Sequence, residues 1–79
     1  MTIRIRYFGQ VAELVGKEEE SKDVAAGFTL NDLELEMHSN YKLTNTYYRI
    51  ALNQIIQENK EVVLNTNDEV AFMPPFAGG

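Results

Sequence analysis

The chain of 79 residues has no cysteine, no tryptophan and a single histidine, His38. Without cysteine it has no disulfide bond, no thiolate nucleophile and no thiolate ligand for a metal ion. One histidine is too few for a metal site built from several imidazoles, and it argues against a triad of serine, histidine and aspartate. We therefore expect no metal site and no catalytic centre within the chain itself.

Basic residues and long apolar runs are also scarce. Seven lysines and arginines stand against twelve aspartates and glutamates, which gives a net charge of -5 and no basic block. Because the phosphate backbone of nucleic acid is bound by clustered positive charge, we expect no nucleic acid partner. Apolar and charged side chains alternate from Ile3 to Arg6, where a signal peptide or membrane helix would be apolar throughout. We expect no membrane partner and a cytoplasmic location.

The composition itself is that of a folded domain. Apolar residues make up 44% of the chain and charged residues 24%, as in ordinary globular proteins. A chain of this size buries only about 60–65% of the surface that its unfolded form exposes, which leaves little core for an enclosed active site. We predict a single domain over residues 1–79 whose function lies on its surface or at its ends.

Apolar alternation predicts the first and last strands. In residues 2–8 the alternation directs one set of side chains towards the core: Ile3, Ile5 and Tyr7. Phe8 then lies on the opposite face. In residues 69–73 the same period directs Val70 and Phe72 inwards and Met73 outwards. If the alternation is off by one residue, Phe8 and Met73 are core residues instead.

Helical spacing predicts two helices. Apolar residues between Val11 and Val15 indicate a short helix that ends at Gly16. Thr29 and Asp32 resemble a capping box, which predicts the main helix over residues 30–39. Its apolar stripe consists of core residues: Leu30, Leu33 and Met37.

The remaining segments complete a mixed sheet. Residues 17–23 are charged and predict an exposed hairpin and edge, whose acidic side chains are either solvated or a docking site for basic partners. Residues 47–52 predict a strand that turns at Asn53 and Gln54 into Ile55 and Ile56. His38, near the end of the main helix, is expected to face solvent or to cap the helix. The fold class is α+β, with one mixed sheet covered by one main helix.

The carboxyl end is unusual because residues 70–79 carry no charged side chain. Pro74 and Pro75 have no backbone N–H group, so they end sheet pairing and favour an extended path. Gly78 and Gly79 lack Cβ atoms, so another protein can close tightly around the backbone and reach the terminal carboxylate. We predict that residues 74–79 form a projecting tail with the Gly79 carboxylate as the reactive group, the alternative being an incidental flexible end.

Three segments carry a resemblance to a known family: YFGQVAELVG at residues 7–16, ALNQ at residues 51–54 and NDEVAFMPPFAGG at residues 67–79. Together they resemble the MoaD family, the small sulfur-carrier subunits of molybdopterin synthase. The resemblance covers nearly the whole chain. It implies a ubiquitin-like β-grasp fold with an extended carboxyl-terminal tail.

The resemblance also implies a carrier that is not an enzyme on its own. In such proteins a ubiquitin-activating-enzyme-like adenylyltransferase uses ATP to adenylate the terminal glycine, here Gly79, which then becomes a thiocarboxylate. The tail inserts into the large catalytic subunit of molybdopterin synthase, where sulfur passes to a cyclic pterin precursor. No cofactor is expected to stay bound to the chain, since the activating partner uses the ATP.

The family's partner-binding positions map onto an apolar patch and the tail: Phe8, Ile56, Met73, Pro74, Pro75, Phe76 and Ala77. Gly78 and Gly79 form the chemical end. A Gly-Gly end also serves sulfur carriers of other pathways, such as thiazole synthesis or tRNA thiolation, and ubiquitin-like protein modifiers. A plain binding module without chemistry at its end is the remaining alternative.

Overall fold

A computed structural model describes residues 1–43 and 46–75 of the chain. Within these residues the elements follow one another as β1 (Thr2–Tyr7), α1 (Gly9–Val15), β2 (Glu19–Asp23), α2 (Leu30–Tyr41), β3 (Arg49–Leu52), β4 (Ile55–Ile56) and β5 (Glu69–Met73). The elements named above are all present, and residues 61–64 contribute only an isolated bridge between Val63 and Thr29. The main helix runs two residues further than its spacing predicted, and β3 begins two residues later.

The strands form one mixed sheet in the order β2-β1-β5-β3-β4. The first and last strands, β1 and β5, pair in parallel at its centre, whereas the other pairs are antiparallel. The apolar stripe of α2 belongs to the same core cluster as the inward residues of β1 and β5, so this helix covers one face of the sheet. This is the predicted ubiquitin-like β-grasp fold.

The predicted alternation is confirmed on both central strands. In β1 the inward residues are at most 1% exposed: Ile3, Ile5 and Tyr7. Phe8 is 38% exposed, and Met73 is half-buried on the face away from the helix. Val70 and Phe72 of β5 are fully buried. The alternative in which Phe8 and Met73 belong to the core is therefore wrong.

The start of α2 is held by the predicted capping box. The backbone N–H of Asp32 donates to Oγ1 of Thr29 at 3.1 Å, and the backbone N–H of Thr29 donates to the Asp32 carboxylate at 3.0 Å. These two bonds satisfy donors that the first helical turn leaves without a partner. At the other end, Lys42 adopts a left-handed conformation with φ of 54° and donates its N–H to the carbonyl of His38.

One acidic side chain of the hairpin that was predicted to be solvated is only partly exposed to solvent. Glu20 lies opposite Ile5 in the β1–β2 register and so faces the helix side of the sheet, where it is half-buried. Its carboxylate accepts hydrogen bonds from the hydroxyl groups of Tyr7 and Tyr41. Burial, followed by the contact with Glu20, raises the pKa of Tyr7 well above its usual range. Alternation along β2 places this carboxylate at the edge of the core, where two tyrosine hydroxyl groups supply it with hydrogen bonds.

None of the helices in the described residues is both long and apolar enough to cross a membrane.

Removing the capping hydroxyl should destabilise the fold. We expect Thr29→Ala to lower the free energy of unfolding by about 1 kcal/mol, because the Asp32 N–H loses its acceptor. Thr29→Ser keeps a hydroxyl and should stay close to the original protein. Urea denaturation of the three proteins measures the difference, and equal stabilities for the alanine and serine variants would show that the cap contributes nothing.

Candidate functional site

The predicted tail begins at the centre of the sheet. Strand β5 lies between β1 and β3, and its last residue is followed directly by Pro74 and Pro75. Pro74 is half-buried and Pro75 is exposed, so the chain leaves the body of the protein at this dipeptide. The predictions for Phe76, Ala77 and the two terminal glycines concern residues outside the described ranges.

Phe72 anchors the strand from which the tail leaves. Its ring is fully buried, with the Tyr7 ring stacked at 5.9 Å between centroids and the Tyr48 ring edge-on at 5.3 Å. Its backbone carbonyl also accepts a hydrogen bond from the N–H of Phe8 at 3.0 Å. Burial of such a ring contributes about 1.5–3 kcal/mol, and the aromatic contacts add to it. The base of the tail is therefore held by the core.

Gly9 makes room for the first residue of the tail. Its φ is +58°, and a Cβ atom placed on it would lie 2.7 Å from Cγ of Pro74. That distance is well inside van der Waals contact, and the left-handed backbone conformation also favours glycine. The Pro74 ring thus rests directly on the backbone at Gly9. This close approach helps to set the direction in which the chain leaves the sheet.

An apolar depression of about 320 Å³ lies beside the start of the tail, lined by Phe8, Gly9, Met73 and Pro74. The structure therefore brings together three of the predicted partner-binding residues: Phe8, Met73 and Pro74. Ile56 is 39% exposed and lies on the same sheet face, since it pairs with Ala51, which in turn pairs with Ala71. It is on β4, however, with β3 between it and the depression, and does not line it.

Two arginines border this region, and sequence reasoning did not assign them a role. Arg6 lies opposite Ala71, and Arg49 lies opposite Met73, so both flank β5 on its open face. The Arg6 guanidinium is 5.1 Å from the centre of the Phe8 ring, which is a cation–π contact. Alternation alone puts Arg6 on the face of Phe8, but only strand pairing shows that Arg49 joins them.

A separate polar groove of about 480 Å³ lies beside α2 and β4. Within it, the Tyr48 hydroxyl donates to Oε2 of Glu34 at 2.6 Å, and Lys60 Nζ donates to Oε1 of the same carboxylate at 2.8 Å. His38 Nε2 lies 2.8 Å from the Tyr48 oxygen. Because the hydroxyl proton is used on Glu34, Nε2 of His38 must carry the proton and donate to Tyr48. His38 is exposed near the helix end, as predicted, and gains this further contact.

The hydrogen bonds in this groove set the protonation of its members. Burial and the bond to Glu34 raise the pKa of Tyr48 well above its usual range. For Glu34, burial acts to raise the pKa, but the hydrogen bonds from Lys60 and Tyr48 outweigh it and the pKa is lowered. The four side chains are partnered with one another and offer no nucleophile beside a base, so the groove is a structural network.

No cluster of three or more histidine, aspartate or glutamate side chains with the geometry to hold a metal ion occurs within residues 1–43 and 46–75.

Comparison with known proteins gives one family match and several full-length relatives. The ThiS family matches residues 5–79. A Chlamydomonas reinhardtii protein named molybdopterin synthase sulfur carrier subunit is 28% identical over 83 residues, covering 100% of both chains.

Solved structures of similar proteins share the fold. The putative molybdopterin converting factor subunit 1 of Pyrococcus furiosus matches with a TM-score of 0.86 at 22% identity, over 96% of this chain and 99% of that one. A chain from the Helicobacter pylori complex of subunits 1 and 2 of molybdopterin-converting factor matches with a TM-score of 0.75 at 23% identity, over 100% of both chains. At these identities the structural likeness establishes the fold alone.

The close contact between Pro74 and Gly9 can be tested by substitution, with a second glycine as the control. Gly9→Ala and Gly27→Ala both place an alanine at a positive φ, but a Cβ on Gly27 meets nothing within 4 Å. We expect Gly9→Ala to lower the free energy of unfolding by about 1–3 kcal/mol more than Gly27→Ala does, because the proline ring must move. Urea denaturation measures this, and NMR should show larger shifts at the Met73 amide in Gly9→Ala.

Pro74→Ala supplies the control for that contact, since it removes the Cγ atom that the new Cβ would strike. In this background the cost of Gly9→Ala should fall to that of Gly27→Ala. An unchanged cost would mean that the contact with Pro74 is not what requires glycine.

The Glu34 network should make stability depend on acid pH. The pKa of Glu34 is lower in the folded protein than in the unfolded chain, so the unfolded state takes up the proton first as pH falls. The stabilisation is therefore present at neutral pH and is lost progressively below about pH 5. We expect Glu34→Gln to be less stable at neutral pH and to lose less stability on acidification.

Denaturation curves from about pH 6 to about pH 3 measure this difference. Glu13→Gln serves as the control, because it removes the same charge from an exposed side chain on α1. Parallel pH profiles for Glu34→Gln and Glu13→Gln would contradict the role given to the network.

Proposed function

The chain belongs to the ThiS family, and from that premise we propose that it is the sulfur-carrier subunit of a molybdopterin synthase. The observation that carries the proposal is that the family match runs to the terminal Gly79 of a chain whose tail starts on the central strand of the sheet, where Phe72 is fully buried. The relative named molybdopterin synthase sulfur carrier subunit, which is similar over its whole length, supports this pathway.

The proposed chemistry takes place at the carboxylate of Gly79. A carboxylate is a poor electrophile, so an ATP-dependent adenylyltransferase first joins it to AMP and releases pyrophosphate. Attack by sulfide, HS⁻, then expels AMP and leaves a thiocarboxylate, whose anionic sulfur is a nucleophile that needs no cysteine. Transfer of that sulfur to a cyclic pterin precursor returns the carboxylate, with water supplying the oxygen.

In this proposal the chain carries the sulfur, and its partners catalyse the reactions. The adenylyltransferase and the large subunit of molybdopterin synthase supply the acid–base and positioning groups. The chain contributes a tail whose base is fixed by Phe72 and by the Gly9 contact, which gives the tail a defined starting direction. The Helicobacter pylori complex of subunits 1 and 2 supports a second subunit as the partner.

The partner surface proposed for the large subunit is the open face beside the tail. Phe8 and Met73 supply its apolar depression, and Ile56 lies further along the same face. Exposed aromatic and methionine side chains are adaptable contacts of the kind that interfaces favour. Pro74 and Pro75 then direct Phe76, Ala77 and the glycines towards the catalytic subunit.

Intact-mass measurement tests the chemistry. The full chain is incubated with its adenylyltransferase partner, ATP and a sulfur donor. We expect a mass gain equal to the replacement of one oxygen by one sulfur, located at Gly79 by fragmentation. An unchanged mass would overturn the proposal, and heavier conjugates joined through lysine would indicate a protein modifier instead.

Deletion of Gly79 is the matched control. This variant should take up no sulfur, yet its urea midpoint should match that of the full chain, because the tail adds little to the core. Sulfur uptake by the shortened chain would contradict the assignment of the terminal carboxylate.

A further inference from the structure

All three arginines of this acidic chain lie on one face of the sheet. Arg4 and Arg6 are outward residues of β1, and Arg49 lies opposite outward Met73 of β5. The lysines lie elsewhere: Lys22, for example, faces the helix side and pairs with Glu36 of α2 at 2.6 Å. The same face also carries Glu19, opposite Arg6, and Glu69, opposite Arg4. The question is therefore which arginines these carboxylates leave unpaired.

Two of these arginines lack an ionic partner among the described residues. Arg4 pairs with Glu19 at 3.2 Å. The other ion pairs of residues 1–43 and 46–75 involve lysines, so neither Arg6 nor Arg49 has a carboxylate within 4.0 Å there. Arg6 instead rests on the ring of Phe8. Each guanidinium thus keeps free donors for another molecule.

The two guanidinium groups flank a low apolar strip at the base of the tail. Arg6 is on β1 and Arg49 is on β3, with β5 between them. The β5 residues opposite them, Ala71 and Met73, are two positions apart along that strand. Strand spacing and rise put their Cα atoms roughly 12 Å apart. Between them lies Ala71 of β5, which is only 7% exposed, with the half-buried Met73 at the end nearest the tail. Met73 is therefore the apolar group that a partner can contact between two positive charges.

We propose that this face binds a partner protein surface with an apolar centre, which packs on Met73, and carboxylates on either side that pair with Arg6 and Arg49. The inference rests on the proposed function, because it takes the large subunit of molybdopterin synthase as that partner. Arginine suits the role because its planar group binds carboxylates in a bidentate manner and is only weakly hydrated. Pairing beside Met73 would also orient the tail as it enters the partner.

Charge favours an acidic protein over nucleic acid as the occupant. The chain as a whole carries -5, so a polyanion meets net repulsion beyond this small face. A partner with two carboxylates needs only the two unpartnered guanidinium groups. The same two positive charges exclude partners that would present lysine or arginine at these positions, since like charges would then meet.

The test compares neutralised arginines with a neutralised lysine on the other side of the molecule. Arg6→Gln and Arg49→Gln each remove one positive charge from the open face. Lys42→Gln removes the same charge from an exposed side chain that follows α2. Binding of each full-length variant to the isolated large subunit is measured by surface plasmon resonance at low and high salt, with urea midpoints to confirm folding.

We expect each arginine variant to bind about two- to five-fold more weakly at low salt, mainly through slower association, and Lys42→Gln to bind as the original protein does. The loss should shrink from about 0.1 M to about 1 M salt, as the Debye length falls from about 10 Å to about 3 Å. Arg49→Lys keeps the charge but loses the bidentate group, so it should recover only part of the affinity that Arg49→Gln loses.

Several results would overturn the inference. These are equal binding by the arginine and Lys42 variants, a loss that salt does not change, or a short DNA duplex that competes with the large subunit. The test is separable from that of the proposed function. Arginine-dependent binding by a protein that takes up no sulfur would sustain this inference and refute the carrier chemistry, whereas sulfur uptake without binding to the large subunit would refute the partner assigned here.

Discussion

The burial of Phe72 at the centre of the sheet is the contact on which the rest of the site depends. Its ring lies between Tyr7 and Tyr48, and its carbonyl holds the backbone of Phe8. Because β1 and β5 pair in parallel around it, the end of the first strand and the start of the tail lie side by side. A small domain has few buried aromatic rings, so this one fixes both the core and the exit of the chain.

The two faces of the sheet serve different purposes. The inner face is closed by α2, and its polar groups at the margins are satisfied within the molecule, as Glu20 is by tyrosines and Glu34 by Tyr48 and Lys60. The open face has small residues at its centre, an apolar depression at one end and arginines beside it. Self-satisfied groups stabilise a fold, whereas groups left without a partner are available for recognition.

A carrier protein places particular demands on this arrangement. In the proposed function the terminal carboxylate has to reach into other proteins, so it cannot be packed against the core of the chain. The end also benefits from a defined starting direction, because an unrestricted tail would lose more conformational entropy on binding. The contact of Pro74 with Gly9 meets both needs, since it restrains the base of the tail while the exposed Pro75 leads away from the body.

Local patterns in the sequence determined the elements: alternation set the faces of β1 and β5, and Thr29 with Asp32 set the start of α2. Strand alternation and helix capping can be recognised in this way because each depends only on residues that are close together in the sequence. The tertiary structure alone decided that Gly9 meets Pro74 and that Arg49 joins Arg6 on one face. Strand order and register arise from pairing between distant segments, which no local period encodes.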